Sequence, residues 1–383
     1  MSVFEQLRPF VSLCQACGMI PFTVEQDLIS KKFVRFTFSL RHLTTWWFIL
    51  LLVLQLTVSV GLIYSSMSQT ISLSIDPDLP IMIAVVFGVN WVSISSQFLI
   101  SRWIVSHYRQ LRRAVEAIQE VERLFGDPFI RQHKSSVMTR FIIGFILVVT
   151  TATGTISVFT PIFQSVLPAA MGALPIKTAI LSFVFLIFVM FDSTFLLAHI
   201  CYYIIAHYTE LLLPYSSFGV VDKDQIPTSS RGMENMLSRS TLIFKYLCRA
   251  SSEINYIFSM PALFILLTKF LAVISFAFAY IYTFSHTHEV IENYVLALPF
   301  LFFVDWIRIL ILLSAADLPV RVFREHVIAE SCSEEVQAIM ATLIQIDEDR
   351  VRLSAAGLFN VGMFLIPGLT GAAVTYMVIL LQS

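Results

Sequence analysis

A 383-residue chain that is 57% hydrophobic, only 13% charged and has a mean hydropathy of +0.80 is not a soluble domain, where about a quarter of residues carry charge. It reads as an all-α, multi-pass membrane protein. A formal net charge of −1, without a basic block interleaved with aromatics, argues against nucleic acid as a partner.

Residues 1–43 form a segment of their own. Phe4, Leu7, Phe10 and Val11 recur at helical spacing until Gly18 and Pro21 break the pattern, which predicts an interfacial amphipathic helix. Of the five cysteines only Cys14 and Cys17 make a C-x-x-C. With no second pair and no nearby histidine, buried thiols are expected there rather than zinc. The first long apolar run starts near Thr44 and is long enough to span, so no cleavable signal peptide is expected.

Seven spans are predicted, at about 44–66, 80–104, 140–166, 174–205, 254–285, 294–316 and 353–382. Trp46 and Trp47 open the first and Tyr64 stands near its end, the placing of interfacial anchors. Spans two and four run on into charged amphipathic sequence, 106–125 and 206–214, so those helices should project beyond the bilayer. Residues 317–352 carry Val336, Ile339, Met340, Leu343 and Ile346 at helical spacing between charges. This predicts an amphipathic helix outside the bilayer, its apolar face packed within the chain or against another subunit.

The basic residues set the orientation. Five precede span one, eight lie between or flank spans two and three, five separate four from five, and four separate six from seven. The opposite side has only Lys177, while Lys269 and Arg308 lie within spans. The positive-inside rule then gives a cytoplasmic N-terminus and an extracellular C-terminus, inverted relative to G-protein-coupled receptors.

No convergent nucleophile, base and orienter is visible, nor a cofactor motif, a metal-ligand set or an internal repeat, so an enzyme is not expected. His199 and His207 fall near one face of span four and read as satisfied or solvated histidines. His286 and His288, beside Glu289 and Glu292, form an outer loop that is either simply solvated or a pH or metal sensor. Charges inside spans are expensive and mark function or a structural pair. Asp305 and Arg308, three apart with Trp306 between them, can face one another on span six, as a pair or as part of a ligand cavity; Asp192 is a second such position. Lys269, in the inner half of span five, can snorkel toward the cytoplasm.

Small-molecule pockets are mostly apolar and aromatic with a few orienting polar groups. The outer halves of the spans offer Asn90 and Trp91, Thr155 and Phe159, Tyr280 and Tyr282, and Phe300 to Trp306. The ligand-binding candidates are therefore Trp91, Asp192, Tyr280, Tyr282, Asp305 and Trp306.

In the last span Pro367 should kink or split the helix. The piece from Gly368 to Gln382 can rise about 22 Å, and Gly368, Gly371, Thr375, Val378 and Gln382 share one face of it. That stripe is small and polar, against Tyr376, Met377, Ile379, Leu380 and Leu381 elsewhere on the helix. It suits either close helix packing or the wall of a pore shared by several subunits.

Thr375-Tyr376, five apolar residues and Gln382 resemble the Thr-Tyr-(five hydrophobic)-Gln-Phe ending of insect gustatory receptors, with Ser383 in place of the Phe. Leu7-Arg8-Pro9-Phe10 with Gly18-Met19-Ile20-Pro21-Phe22 is similar to that family's opening, and Leu247-Cys248 with Ile254-Asn255-Tyr256-Ile257-Phe258 to a segment before its fifth span. The resemblance covers the whole chain. It implies a tastant-gated, non-selective cation channel, a tetramer of like or mixed subunits, with a sugar or bitter compound bound in an outer cavity of each subunit. Gly371, Thr375, Val378 and Gln382 would line the pore for permeating cations, and 317–352 would be a cytoplasmic anchor between subunits. Residues 44–316 would form the ligand-sensing region and 353–383 the interrupted pore helix. The alternatives are a metabotropic seven-helix receptor, which an outside N-terminus would favour, and a small-molecule transporter, which should show repeats or paired broken helices.

Overall fold

The computed structural model describes residues 9, 11–12, 14–16, 21, 23–26, 33–37, 39–54, 56–57, 60, 99–100, 102–126, 137–166, 189, 194–212, 230–286, 292–329 and 352–382. The end of predicted span one, most of span two, the start of span four and the amphipathic stretch 336–346 lie outside them.

The described part of the N-terminal segment is helical up to Ala16, with Cys14 buried. An antiparallel hairpin follows, β1 (Thr23–Gln26) and β2 (Phe33–Thr37), in a register that sets Glu25 opposite Arg35. The sequence reading had no strands here. The segment folds back on the first apolar helix, α1 (Leu43–Leu54). Trp47 Nε1 donates to the Ala16 carbonyl at 2.9 Å and Thr45 Oγ1 to the Pro21 carbonyl at 3.2 Å. Trp46 Nε1 donates to the Leu40 carbonyl, so both indole N–H groups are satisfied by backbone while the rings stay exposed, as interfacial anchors require.

Beyond a turn at His107 comes α2 (Tyr108–Phe125), an amphipathic helix that buries Leu111, Ala114, Ala117, Ile118, Val121 and Phe125. Its partners are α4 (Thr194–Leu212) and α5 (Ser230–His286), the latter far longer than predicted. Fifty-seven residues rise about 86 Å, nearly three times a hydrocarbon core, so α5 extends well past any bilayer. Its early half is amphipathic: Ile243, Phe244, Leu247, Cys248, Ile254 and Phe258 are buried, whereas Arg239, Lys245 and Arg249 are exposed. Tyr208 on α4 donates to the Glu122 carboxylate at 2.6 Å and stacks on Phe125, and Arg113 approaches Glu253 at 3.7 Å. In water, burying one Ile or Val such as Ile118 or Val121 contributes about 1.5–3 kcal/mol, which is ample to hold α2 on this bundle.

Two further described apolar helices are α3 (Val137–Val166) and α6 (Glu292–Ala329). α6 also outruns its predicted span. Close glycine contacts fix α3: a Cβ at Gly144 would collide with Leu196 of α4, and one at Gly154 with the ring of Phe300 of α6. Among the described residues, 194–212, 238–278 and 299–322 are long and apolar enough to cross a membrane, and 43–54, 139–154 and 363–379 are shorter apolar helices.

The last region differs from expectation. The sequence predicted a helix from 353 split at Pro367, yet Leu353 to Leu365 is not α-helical. A tight hairpin, β3 (Ser354–Ala355) with β4 (Phe359–Asn360), leads into a 3-10 turn at Met363–Leu365 and then α7 (Ile366–Gln382). The turn has positive φ at Ala356 (53°) and Gly357 (76°), the backbone of the primed turns that match strand twist. Pro367 lies in the first turn of α7, where its missing N–H costs no helical bond.

Candidate functional site

Among the described residues, α7 meets the rest of the chain along one side only. Leu365, Ile366 and Leu369 pack against the main core, and Ala372, Ala373 and Met377 are half-buried on the same side. The predicted stripe is elsewhere: Gly368, Gly371, Thr375 and Gln382 are exposed, and Val378 is 44% exposed. A Cβ built on Gly368 or Gly371 would meet nothing within 4 Å, so no described part of this chain needs those residues to be small. The Thr375 hydroxyl donates back to the Gly371 carbonyl at 2.9 Å, which satisfies its proton and leaves oxygen lone pairs on the exposed face. Close packing against the described residues of the chain therefore does not explain the stripe.

α7 is tied to α5 through the hairpin before it. Tyr202 OH on α4 donates to Asn255 Oδ1 at 2.9 Å, and Asn255 Nδ2 donates to the Arg352 carbonyl at 3.1 Å. The Ala356 N–H donates to Ser259 Oγ at 2.9 Å. Leu353, Ala355 and Val361 are buried below these bonds. The Ile254-Asn255 segment, singled out in the sequence by resemblance alone, is thus the point where α4, α5 and the β3–β4 hairpin meet.

Asp305 is buried between two cations. Lys269 Nζ lies 3.0 Å and Arg308 Nη1 2.7 Å from its Oδ1, and each of the three side chains is at least 93% buried. Lys269 does not snorkel, contrary to expectation, because its face of α5 meets α6 rather than lipid. Breaking a buried pair strands a charge at about 3–5 kcal/mol, so the cluster pins α5 to α6.

A cavity of about 410 Å³ lies between α3, α4 and α6. Thr139, Arg140, Thr151, His199 and Arg308 supply its polar groups, and its apolar wall includes Ile143, Leu147, Phe195, Leu196 and Ile311. The Arg140 guanidinium sits 4.0 Å over the Tyr203 ring. Sequence reasoning missed this site. Arg140 had served only as an orienting charge, and His199 as a satisfied histidine; their proximity depends on how closely Gly144 lets α3 approach Leu196.

Of the ligand-binding candidates, Asp305 is in the buried ion cluster, Trp306 packs half-buried against the core, and Tyr280 is half-buried on α5. None of the three lines the cavity, although Asp305's partner Arg308 does. Tyr282, Thr155 and Phe159 have only their backbone described, on α5 and α3, while Asn90, Trp91 and Asp192 lie outside the described residues. His207 stacks on Tyr203, with ring centroids 6.1 Å apart. His286 closes α5, whereas His288 and Glu289 lie outside the described residues; among those described no cluster could hold a metal ion.

A family model described as 7tm chemosensory receptor matches residues 7–383. No curated protein matches the chain. Among solved structures, the insect olfactory receptor OR5 from Machilis hrabei superposes with a TM-score of 0.73 at 13% identity, covering 100% of both chains. The same receptor in complex with eugenol gives 0.68 at 14% identity, again covering 100% of both. At such identity the likeness establishes the fold.

Proposed function

We propose that this chain, which belongs to the 7tm chemosensory receptor family, is a gustatory receptor acting as a tastant-gated, non-selective cation channel of chemosensory neurons. The family is one of receptors rather than enzymes, and its apolar helices make it a multi-pass plasma-membrane protein. In this reading the N-terminus is cytoplasmic, and four like or mixed subunits set their α7 helices around a common axis.

The observation that supports it is the small, polar stripe of α7 turned away from its own chain. In lipid such a face lacks partners, whereas around an axis it meets water and its symmetry mates. Gln382 would form a ring at the outer mouth, where a neutral amide fits weak discrimination among cations better than a carboxylate would.

A sugar or bitter compound held in the outer part of the helix bundle would favour one arrangement of α5 and α6. Its differential affinity for the two arrangements is the only energy available for gating. Because Asn255 and Ser259 hold the β3–β4 hairpin on α5, a displacement of α5 carries the start of α7 with it. The eugenol complex of the Machilis hrabei receptor supports a small organic ligand for this chain as well.

Patch recording of a Gln382→Glu variant tests the reading. It should shift the reversal potential toward divalent cations and change unitary conductance while assembly stays intact. An unchanged reversal potential and conductance would remove Gln382 from the pore.

A further inference from the structure

The cavity between α3, α4 and α6 is divided by chemistry. Its charged groups are Arg140 and Arg308, with the His199 imidazole beside them, and no carboxylate lines it among the described residues. His199 Nδ1 is buried and has no hydrogen-bond partner among the described residues. Arg308 is already paired with Asp305, but Arg140 borders a cavity that no described carboxylate lines, which calls for an anion, and the planar guanidinium fork matches phosphate and carboxylate oxygens best. Arg140 is held for that task at low entropic cost by its stacking on Tyr203.

The rest of the wall is apolar and opens sideways. Ile143 is 61% and Ile307 41% exposed, so the rim lies on the outer surface of the chain, where lipid tails lie in a membrane. From Arg140 to Thr151 α3 rises about 16 Å, half of a 30 Å hydrocarbon core and thus the depth of one leaflet. Arg140 stands at the start of α3, on the side to which most Lys and Arg of the chain belong. The positive-inside rule makes that side cytoplasmic, the leaflet rich in anionic lipid. A volume of about 410 Å³ is within the range of small-molecule sites.

We propose that this groove binds an anionic phospholipid, its phosphate held by Arg140, His199 and Arg308 and one acyl chain laid along Ile143, Leu147 and Ile311. The site is distinct from the outer tastant cavity and rests on the membrane placement of the chain, not on its being a channel. Bound there, the lipid touches Arg308 and so acts on the cluster that joins α6 to α5.

The full chain in phosphatidylcholine nanodiscs doped with phosphatidic acid, with retained lipids counted by native mass spectrometry, tests it. The unaltered chain should retain phosphatidic acid over phosphatidylcholine by about tenfold, the weight of one charge-assisted contact. Arg140→Gln should bring the ratio close to one, and Ile143→Trp should do the same by filling the groove with the cations in place. Neither variant removes a member of the Lys269, Asp305 and Arg308 cluster. No preference in the unaltered chain, or a preference in both variants as large as that of the unaltered chain, overturns the site. Displacement of phosphatidic acid by inorganic phosphate at matched concentration overturns the lipid assignment, because the acyl chain then adds nothing.

Discussion

α5 and α7 are both apolar, yet they treat their surroundings in opposite ways. α5 is packed largely against its own chain: α2, α4 and α6 lie against it, its one deep lysine is matched by Asp305, and Asn255 and Ser259 receive the hairpin. α7 leaves most of its circumference open, including every residue of its small polar stripe. A helix whose polar groups are answered inside the chain is a scaffold. One whose polar groups are aimed outward has a face that the described residues of the single chain do not cover.

Removing the answer inside the scaffold is the harshest way to break this contrast. Asp305→Ala strands Lys269 and Arg308, and should cost about 3–5 kcal/mol, read as loss of folded receptor in a thermal aggregation assay. Asp305→Ala together with Lys269→Met should recover part of that loss, since only one cation then remains. Next comes the joint between the two helices. Asn255→Leu leaves the Tyr202 hydroxyl and the Arg352 carbonyl without their bonds, a loss of about 1–3 kcal/mol, and should raise the tastant concentration for half-maximal current.

A smaller effect is expected at the turn. Gly357→Ala meets no neighbouring atom, so only the left-handed backbone opposes it, at about 1–2 kcal/mol in the same thermal assay. On the open helix, Gly371→Ala should leave thermal stability within about 0.5 kcal/mol of the unaltered chain, because the new methyl meets nothing and alanine favours the helix. It should nonetheless change conductance. A large stability loss there would mean that α7 is packed within the chain after all.

Much of the contrast was legible in the sequence. Helical spacing alone put Gly368, Gly371, Thr375, Val378 and Gln382 on one face, and the structure leaves that face open. Asp305 and Arg308 declared themselves as charges three apart in an apolar run. What the sequence hid was contact between distant segments. Lys269 looked able to snorkel because nothing in its neighbours revealed that α6 lies across it. The β3 and β4 strands, two residues each, are too short for alternation to register, so 353–365 read as helix. The early half of α5 falls outside the predicted span because Arg239, Lys245 and Arg249 dilute its hydrophobicity, although they fall on the exposed side of a regular helix.

Cysteine accessibility along α7 tests the central claim most directly. Thr375 lies on the open stripe and Ala373 on the side that meets the core. Current through Thr375→Cys channels should be largely blocked by a water-soluble thiol reagent applied during tastant exposure, while Ala373→Cys channels and the unaltered chain keep theirs. Block at Ala373→Cys with none at Thr375→Cys would place water on the other face of the helix and contradict the account.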